Sequence, residues 1–211
     1  MLKINSVCPD FQCKTSEGDI SFHEWLGDSW GVLFSHPKDF TPVCTTELGT
    51  LAKMKPDFDA RNVKVIGLSV DPVSDHVKWL DDIKDVCGMK PSYPIIADEK
   101  LEVAKLYNML EGDAGTTSMG RTAVDNETVR TVYVIRPDKR IGLFLTYPMT
   151  TGRNFQEILR AIDSMQRTAK HKIATPADWK PGEKVIIVPK VTDEEAKKIY
   201  PDGWETIKPY L

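Results

Sequence analysis

Short apolar segments that resemble strands alternate with segments of helical spacing along most of the chain. The strand-like segments lie at 30–35, 63–70, 129–135 and 141–147, and the helix-like segments lie at 44–55, 75–86, 101–107 and 155–170. Strands that alternate with helices are typical of a sheet covered by helices. The last two strands follow each other directly, so residues 137–140 predict a hairpin turn. The order therefore predicts an α/β fold.

The pattern of the sequence changes after about residue 169, where prolines separate short segments. Residues 185–188 predict a short strand, and Thr192 with Glu195 forms a capping box that predicts a helix ending at Pro201. We therefore expect one domain at 1–168 and a C-terminal extension at 169–211. Such an arm packs on its own domain or on a partner subunit, and we favour a homodimer in which it reaches across.

Cys44 is the residue that most strongly indicates chemistry. It follows the apolar segment 31–36 and a loop that contains prolines. Helical spacing begins at Cys44, with Leu48, Leu51 and Ala52 on the same face, which puts the thiol on the first turn and facing inward. A helix N-terminus carries free N–H groups and favours negative charge, so this position favours the thiolate, which is the nucleophilic form.

The loop before Cys44 predicts a preorganised site. Pro37 and Pro42 stiffen the loop and withhold backbone donors. Thr41 stands where its hydroxyl could donate to the sulfur or to an oxygen that approaches it. The alternative is a buried, inert cysteine, which is common on apolar helix faces. That alternative does not explain the spacing of the proline and threonine residues, so we favour a reactive thiol.

Arg130 lies within the predicted strand at 129–135. Alternation with a period of two puts it on the same face as Val132 and Val134. A buried guanidinium group is costly unless it is paired, so we expect Arg130 to meet a carboxylate, a thiolate or both. The alternative is an edge-strand arginine whose charged end reaches water.

The spacing Pro-x-x-x-Thr-x-x-Cys, continued by Thr-Thr-Glu, resembles the active-site signature of the peroxiredoxins. Residues 28–31, 62–66 and 147–155 are similar to the one-cysteine branch of that family, and the resemblance covers nearly the whole chain. It implies a thioredoxin-like fold, with helices on both faces of a central mixed sheet, plus a C-terminal extension. It also implies an antioxidant thiol-specific peroxidase that reduces hydrogen peroxide and organic hydroperoxides through a sulfenic acid on Cys44.

The resemblance implies roles for two arginines. Arg130 would lie over Cys44, bind the substrate together with Thr41, and stabilise the thiolate and the charge on the leaving oxygen. Arg153 would be the second arginine of the pocket, although the sequence alone indicates only a loop cation.

Two further residues are candidates for the same pocket. Glu47 lies one helical turn beyond Cys44, from where it could reach an arginine held above the sulfur. Alternatively, it is a first-turn acid that complements the helix dipole. His36, directly before Pro37, is either a donor or pH-sensitive group near the thiol, or a strand-end histidine that packs against its neighbours.

The remaining cysteines bear on how the sulfenic acid is reduced. None lies in the C-terminal third, where resemblance to the two-cysteine branch would require one. We therefore expect an external thiol of the glutathione or thioredoxin type as the reductant. Cys8 and Cys13 lack a second pair or suitably spaced histidines, so we expect neither a metal nor a cofactor.

Cys87 extends an apolar helical stripe. Its spacing continues that of Val77, Leu80 and Ile83. We therefore interpret it as a core residue and not as a resolving thiol.

Two other function classes stay open. A G-x-S-x-G pattern at 27–31 offers a hydrolase nucleophile at Ser29, with His23 and Asp138 as triad partners. The context is unfavourable because Ser29 precedes a strand, whereas a nucleophile elbow follows one. One-cysteine relatives are nevertheless associated with phospholipase A2 activity through matching residues, so this remains a second function. A redox relay or chaperone without turnover is the non-catalytic alternative.

Composition limits the classes of partner and the cellular compartments that we expect for this chain. The formal net charge is −3 without a basic cluster, which argues against nucleic acid. The chain has no apolar run of membrane-spanning length, and its N-terminus lacks the pattern of a secretory signal. A thiol-dependent peroxidase suits a reducing compartment, so we expect the cytoplasm, with an organelle as the alternative. Assembly beyond a dimer stays open.

Overall fold

The computed structural model describes residues 2–112, 114 and 127–208. The chain divides into two compact units, Met1–Phe155 and Gln156–Leu211. The elements of the first unit are β1 (Gln12–Thr15), β2 (Gly18–Ser21), α1 (Phe22–Leu26), β3 (Trp30–Ser35), α2 (Pro42–Asp59), β4 (Val63–Ser69), α3 (Val73–Cys87), β5 (Ile95–Ala97), α4 (Glu102–Leu106), β6 (Arg130–Ile135) and β7 (Ile141–Tyr147).

The strands of the first unit form one seven-stranded sheet in the order β2-β1-β5-β4-β3-β6-β7. Strands β3, β4 and β5 run parallel, whereas β6 and β1 join them antiparallel on either side. The outer pairs β6–β7 and β1–β2 are antiparallel hairpins. The sheet is therefore mixed, and the predicted α/β class and the β6–β7 hairpin are confirmed.

Helices lie against both faces of this sheet. Leu33 and Ile66 lie side by side in β3 and β4, and they belong to a buried cluster with residues of α1 and α4. Phe34 points to the opposite face and is paired with Val132 of β6. The α2 and α3 helices lie on that second face, because Arg130 of β6 contacts Glu47 of α2 and α3 packs on α2. The candidate thiol and Arg130 therefore share one face.

Helix α2 begins at Pro42, two residues before the predicted start. Proline suits the first helical position, because the N–H that it lacks has no helical acceptor there. Thr41 precedes it with extended backbone angles and accepts the first helical bond, from the Thr45 N–H, on its carbonyl. Cys44 consequently lies on the first turn, as the spacing predicts.

Helix α3 buries a different stripe from the predicted one. Its buried residues are His76, Trp79, Leu80 and Ile83, whereas Val77 is 46% exposed. The predicted stripe was wrong at Val77. The residue one turn before Leu80 on the buried face is His76, four positions earlier, and Val77 points towards solvent. A histidine on the buried face requires polar partners.

Four short elements of the first unit were absent from the predicted order: β1, β2, α1 and β5. Each contains only three to five residues, too few to display a period of two or 3.6. Their positions depend on pairing, since β5 completes the parallel set beside β4 and β1 joins β5 at the edge.

The second unit contains helices and a small sheet. Helix α5 (Phe155–Lys170) leads into the antiparallel strands β8 (Ile173–Ala174) and β9 (Ile186–Ile187), followed by α6 (Asp193–Ile199). The predicted cap is confirmed, because the Thr192 side chain accepts a hydrogen bond from the Glu195 N–H. None of the helices within the described residues is long and apolar enough to cross a bilayer.

Candidate active site

Cys44 is completely buried on the first turn of α2. Its Sγ lies 3.4 Å from Nη1 of Arg130, which donates a hydrogen bond to it. The first-turn N–H groups have no acceptor within the helix and add partial positive charge on the same side. The sulfur thus meets a formal cation and a helix N-terminus together, and both stabilise a thiolate.

Arg130 is held by three partners at once. Nη1 also donates to Oε2 of Glu47 at 2.6 Å, and Nε donates to the Met149 carbonyl at 2.6 Å. The residue is only 3% exposed, so the expected pairing with a carboxylate and a thiol is confirmed and the solvent-exposed alternative is wrong. Its guanidinium plane is therefore fixed with one N–H directed at the sulfur.

Glu47 also holds Arg153. Oε1 accepts from the backbone N–H and from Nε of Arg153, both at 2.8 Å, and Oε2 accepts from Nη2 at 2.7 Å. Nη1 of Arg153 donates to the carbonyls of Ser35 and Thr131, at 2.7 and 3.0 Å. Arg153 is therefore a buried member of this cluster and not a loop cation. The first-turn alternative for Glu47 is wrong, because the first turn of α2 contains no acid and the buried Glu47 carboxylate is bonded by both arginines.

The charges of this cluster favour an ionised thiol. Burial alone would raise the pKa of Glu47, but the hydrogen bonds and charge of Arg153, together with the charge of Arg130, outweigh it and lower that pKa. Two buried guanidinium groups then face one carboxylate. A thiolate on Cys44 supplies the second negative charge and makes the cluster neutral, which lowers the cost of burying it.

Thr41 and Pro37 lie in the loop between β3 and α2. Pro37 is buried and Thr41 is partly buried. The Thr41 hydroxyl donates to the Lys38 carbonyl at 2.9 Å, so its proton is directed along the loop and away from the sulfur. Its lone pairs are left to accept, and donation to a peroxide oxygen requires the hydroxyl to rotate.

His36 is fully buried at the end of β3. Its Nε2 lies 2.8 Å from Oδ1 of Asp39, and its Nδ1 has no hydrogen-bond partner. A second imidazole, His76 of α3, lies 2.5 Å from Oδ2 of the same carboxylate. Asp39 and His76 were missed by the sequence-based prediction. The signal that could have identified His76 is its position one turn before the buried residues Trp79 and Leu80.

Cys8 and Cys13 lie away from this cluster in environments that keep them protonated. Burial raises the pKa of Cys13 to about 12, with Asp98 and Asp19 adding to the effect. Burial also raises the pKa of Cys8, whose Sγ lies 3.4 Å from Nε2 of His23. Neither thiol is therefore a ready nucleophile.

Cys87, at the end of α3, packs against α2. Its Sγ donates to the Thr45 carbonyl at 3.6 Å, and it leaves no room for a side chain at Gly49. This close contact agrees with the packing role predicted for it, although the residue is partly exposed.

The three residues of the alternative hydrolase triad have other partners. Ser29 donates to Oδ1 of Asn62 at 3.0 Å, His23 contacts Cys8 and Asp10, and Asp138 faces Arg136 and Arg140. None of these hydrogen bonds or ion pairs joins two members of the triad. Ser29 also precedes β3, which is the position predicted to be unsuitable for a nucleophile elbow.

Two family models match the chain. Residues 4–143 match the AhpC/TSA family, and residues 164–203 match the C-terminal domain of 1-Cys peroxiredoxin. The chain is a member of the peroxiredoxin family. The second match assigns it to the one-cysteine type, as the resemblance implied, and peroxiredoxins of this type are thiol-dependent peroxidases with an antioxidant function.

Individual peroxiredoxins match nearly the whole of this chain. A 1-Cys peroxiredoxin of Dictyostelium discoideum is 52% identical over 210 residues, which are 100% of this chain and 83% of the relative. Human Peroxiredoxin-6 is 49% identical, with 96% of this chain and 90% of the relative covered. A solved yeast mitochondrial 1-Cys peroxiredoxin superimposes with a TM-score of 0.89 at 49% identity, covering 100% and 98% of the two chains. These neighbours confirm the thioredoxin-like fold.

Proposed function

We propose that Cys44 is the peroxidatic residue of this peroxiredoxin and that Arg130, Arg153, Glu47, Thr41, Pro37 and His36 form its site. The observation that carries the proposal is the 3.4 Å contact between Cys44 Sγ and Arg130 Nη1, made while Glu47 holds the same guanidinium group. A nucleophile beside a fixed cation satisfies the geometric requirement for attack on a neutral peroxide followed by departure of an anion.

The first step balances as a two-electron transfer. The Cys44 thiolate attacks one oxygen of hydrogen peroxide or of an organic hydroperoxide, the S–O bond forms and the O–O bond breaks. The sulfur is oxidised to a sulfenic acid, and the leaving hydroxide or alkoxide takes a proton and departs as water or alcohol. Arg130 stabilises the charge that develops on this leaving oxygen.

The surrounding residues have separate tasks in this proposal. Glu47 orients both guanidinium groups, and Arg153 adds positive charge while it bonds the carbonyls of Ser35 and Thr131. Thr41 meets the peroxide after its hydroxyl rotates, and Pro37 restrains the loop. His36 is buried beside the loop, and its Nδ1, which has no hydrogen-bond partner, is available to a group that enters the site.

We propose that an external thiol reduces the sulfenic acid. One thiol displaces water from the sulfur to form a mixed disulfide, and a second thiol releases Cys44 as the free thiolate while the two external thiols leave as a disulfide. The raised pKa values of Cys8 and Cys13 disfavour both as internal partners. The structure of the yeast relative concerns thiol resolution through glutathione/thioredoxin systems, which makes such reductants the first to test here.

The test is to mix reduced protein with one equivalent of hydrogen peroxide and follow it by intact mass and a sulfenic-acid trap. We expect rapid trapping at Cys44, none in Cys44→Ser, and no intramolecular disulfide. A disulfide to Cys8, Cys13 or Cys87 would make that residue the resolving partner. Reaction no faster than that of a free thiol would overturn the proposal and favour a binding role. A mixed disulfide that persists with a partner protein would indicate a redox relay.

The division into a peroxidase domain at 1–168 and an extension at 169–211, the homodimer and the cytoplasmic location also remain proposals. The match of residues 164–203 to a separate C-terminal family model supports treating the extension as a distinct part. Sedimentation of the full chain and of a chain ending at residue 168 tests whether the extension contributes to a dimer. Because the yeast relative is named mitochondrial, imaging of the tagged chain should include a mitochondrial marker.

A further inference from the structure

A buried histidine outside the thiol site contacts two acceptors. His76 is fully buried in α3. Its Nδ1 lies 2.5 Å from Oδ2 of Asp39, and its Nε2 lies 3.1 Å from the carbonyl oxygen of Ile96. A carbonyl oxygen can only accept, and an ionised carboxylate can only accept as well. Both ring nitrogens must therefore donate, which requires an imidazolium ion.

The carboxylate on the other side of this contact is ionised. Burial alone would raise the pKa of Asp39, but hydrogen bonds from His36 and His76 outweigh that effect and lower the pKa to about 2. Oδ1 accepts from His36 Nε2 at 2.8 Å while Oδ2 accepts from His76. Because His36 donates through Nε2, its neutral form presents Nδ1 as an unprotonated nitrogen.

Asp39 lies in the middle of the loop at residues 37–41, between β3 and α2. Its backbone N–H donates to Oδ2 of Asp71 at 2.9 Å, and that oxygen also accepts from the Ser69 hydroxyl at 2.8 Å. The loop is therefore tied at one residue to the end of β4, to α3 and, through His76, to β5. It continues directly into Thr41 and the first turn that carries Cys44.

The same cluster has the composition of a metal site, since ligand atoms of His36, Asp39 and Asp71 lie within 4.8 Å of one another. The hydrogen bonds argue for a different arrangement. Both oxygens of Asp39 and Oδ2 of Asp71 already accept from N–H or O–H donors. The positive charge of His76 offsets the Asp39 carboxylate, and the Asp71 carboxylate accepts from the Asp39 N–H and the Ser69 hydroxyl, so both carboxylates have partners within the chain.

We infer that His76 and Asp39 are a positioning pair for the peroxidatic loop, in which His76 donates from both ring nitrogens and so anchors Asp39 to β5. The inference rests on the proposed function of Cys44, since it assigns the pair to that reaction. The titratable groups that face the pair are His36 and Asp71. Loss of His76 leaves the Asp39 carboxylate with one imidazole partner and frees the loop from α3 and β5. Thr41 and His36 then lose their fixed positions relative to the sulfur.

The charge state is tested in the wild-type chain by nitrogen-15 NMR of the histidine rings at pH 7. We expect both ring nitrogens of His76 to carry protons and His36 to show one protonated and one unprotonated nitrogen. A neutral His76 ring would overturn the inference, whatever the kinetics show. This measurement does not depend on peroxide turnover, so it separates this inference from the proposed function.

The positioning role is tested by the second-order rate of Cys44 oxidation in His76→Phe and in Leu80→Ala. Leu80 is buried in the same helix and makes none of the hydrogen bonds that hold Asp39, so its truncation destabilises α3 and leaves those bonds in place. We expect His76→Phe to slow oxidation by about 10- to 100-fold, the scale of a small misplacement in a reactive site, and Leu80→Ala to leave the rate within about two-fold. Equal losses in the two variants would reduce His76 to a structural residue and overturn the inference.

Asp39→Asn supplies a second variant should His76→Phe not fold. We expect a similar loss of rate, and we expect the double variant to be no slower than the slower single variant, because both changes break one contact. Fully additive losses would overturn the pairing. A wild-type chain without peroxide reactivity would instead count against the proposed function of Cys44.

Discussion

The side chain of Glu47 bonds Arg153 through both of its oxygens, with Oε1 2.8 Å from Nε and Oε2 2.7 Å from Nη2. Oε2 is shared with Arg130, 2.6 Å away. One carboxylate thus fixes two guanidinium groups, and one of these reaches the sulfur of Cys44.

Replacing Glu47 by glutamine is expected to lower the free energy of unfolding by about 3–5 kcal/mol, because it leaves two buried guanidinium groups without an anion. Urea denaturation of the reduced protein at pH 7 measures the change. The matched control is Glu157→Gln, which breaks a partly exposed pair with Arg160 and is expected to cost less than about 1 kcal/mol. Similar losses at the two positions would show that the buried Glu47 cluster stabilises the fold no more than a surface ion pair does.

Arg130→Lys is expected to slow oxidation of Cys44 by about 100- to 1000-fold, the usual effect of removing one preorganised donor from a developing oxyanion. A lysine keeps the charge but cannot bond Met149, Glu47 and the sulfur from one rigid plane. Stopped-flow measurement of the first turnover gives the rate. Arg136→Lys, at the surface of the β6–β7 hairpin, should react like the wild type. A normal rate in Arg130→Lys would show that positive charge alone is sufficient.

Cys13 and Cys8 are expected to resist alkylation in the folded protein. The pKa of Cys13 is about 12 and that of Cys8 is also raised, so few of these thiols are ionised at pH 8. Brief iodoacetamide treatment followed by peptide mass analysis should modify Cys44 well before either of them. Unfolding in urea should remove the difference between the sites. Faster labelling of Cys13 than of Cys44 would contradict both the raised pKa of Cys13 and the proposed nucleophile.

Asp39 is expected to contribute to acid stability. Its pKa falls from 3.8 to about 2 on folding. Because the folded-state pKa is the lower one, the unfolded state binds the proton first, and the stabilisation is present above about pH 4 and lost as the pH falls towards 2. The contribution is about 2 kcal/mol. Urea denaturation from pH 6 to pH 2 should show Asp39→Asn destabilised at the upper end and converging on the wild type at the lower end.

The control for this pH dependence is Asp81→Asn. Asp81 pairs with Lys90 at the surface, where water and salt screen the interaction. Its acid profile should therefore match that of the wild type in 0.15 M salt. A pH-independent difference between Asp39→Asn and the wild type would mean that Asp39 stabilises the fold through packing and not through its charge.

The local features of the site could be predicted from neighbouring residues. Cys44, Thr41 and Pro37 belong to one short segment, and helical spacing predicted the start of α2 to within two residues, so the first-turn position of the thiol needed no tertiary contact. The burial and pairing of Arg130 followed from strand alternation, because an arginine on an apolar face requires an anion. The alternation of strands and helices likewise determined the α/β class.

The relationships between distant segments were decided only by the tertiary structure. Glu47 and Arg153 are 106 positions apart, and Asp39 and His76 are 37 apart, so no spacing rule connects them. Strands of three or four residues such as β5 carry too little periodicity to be identified without the partner that completes their hydrogen bonds. The sequence by itself determined which residue types could perform the chemistry. Packing of α2 and α3 on the sheet face that carries Arg130 of β6 decided which charges meet, because a buried charge is stable only where the fold supplies its partner.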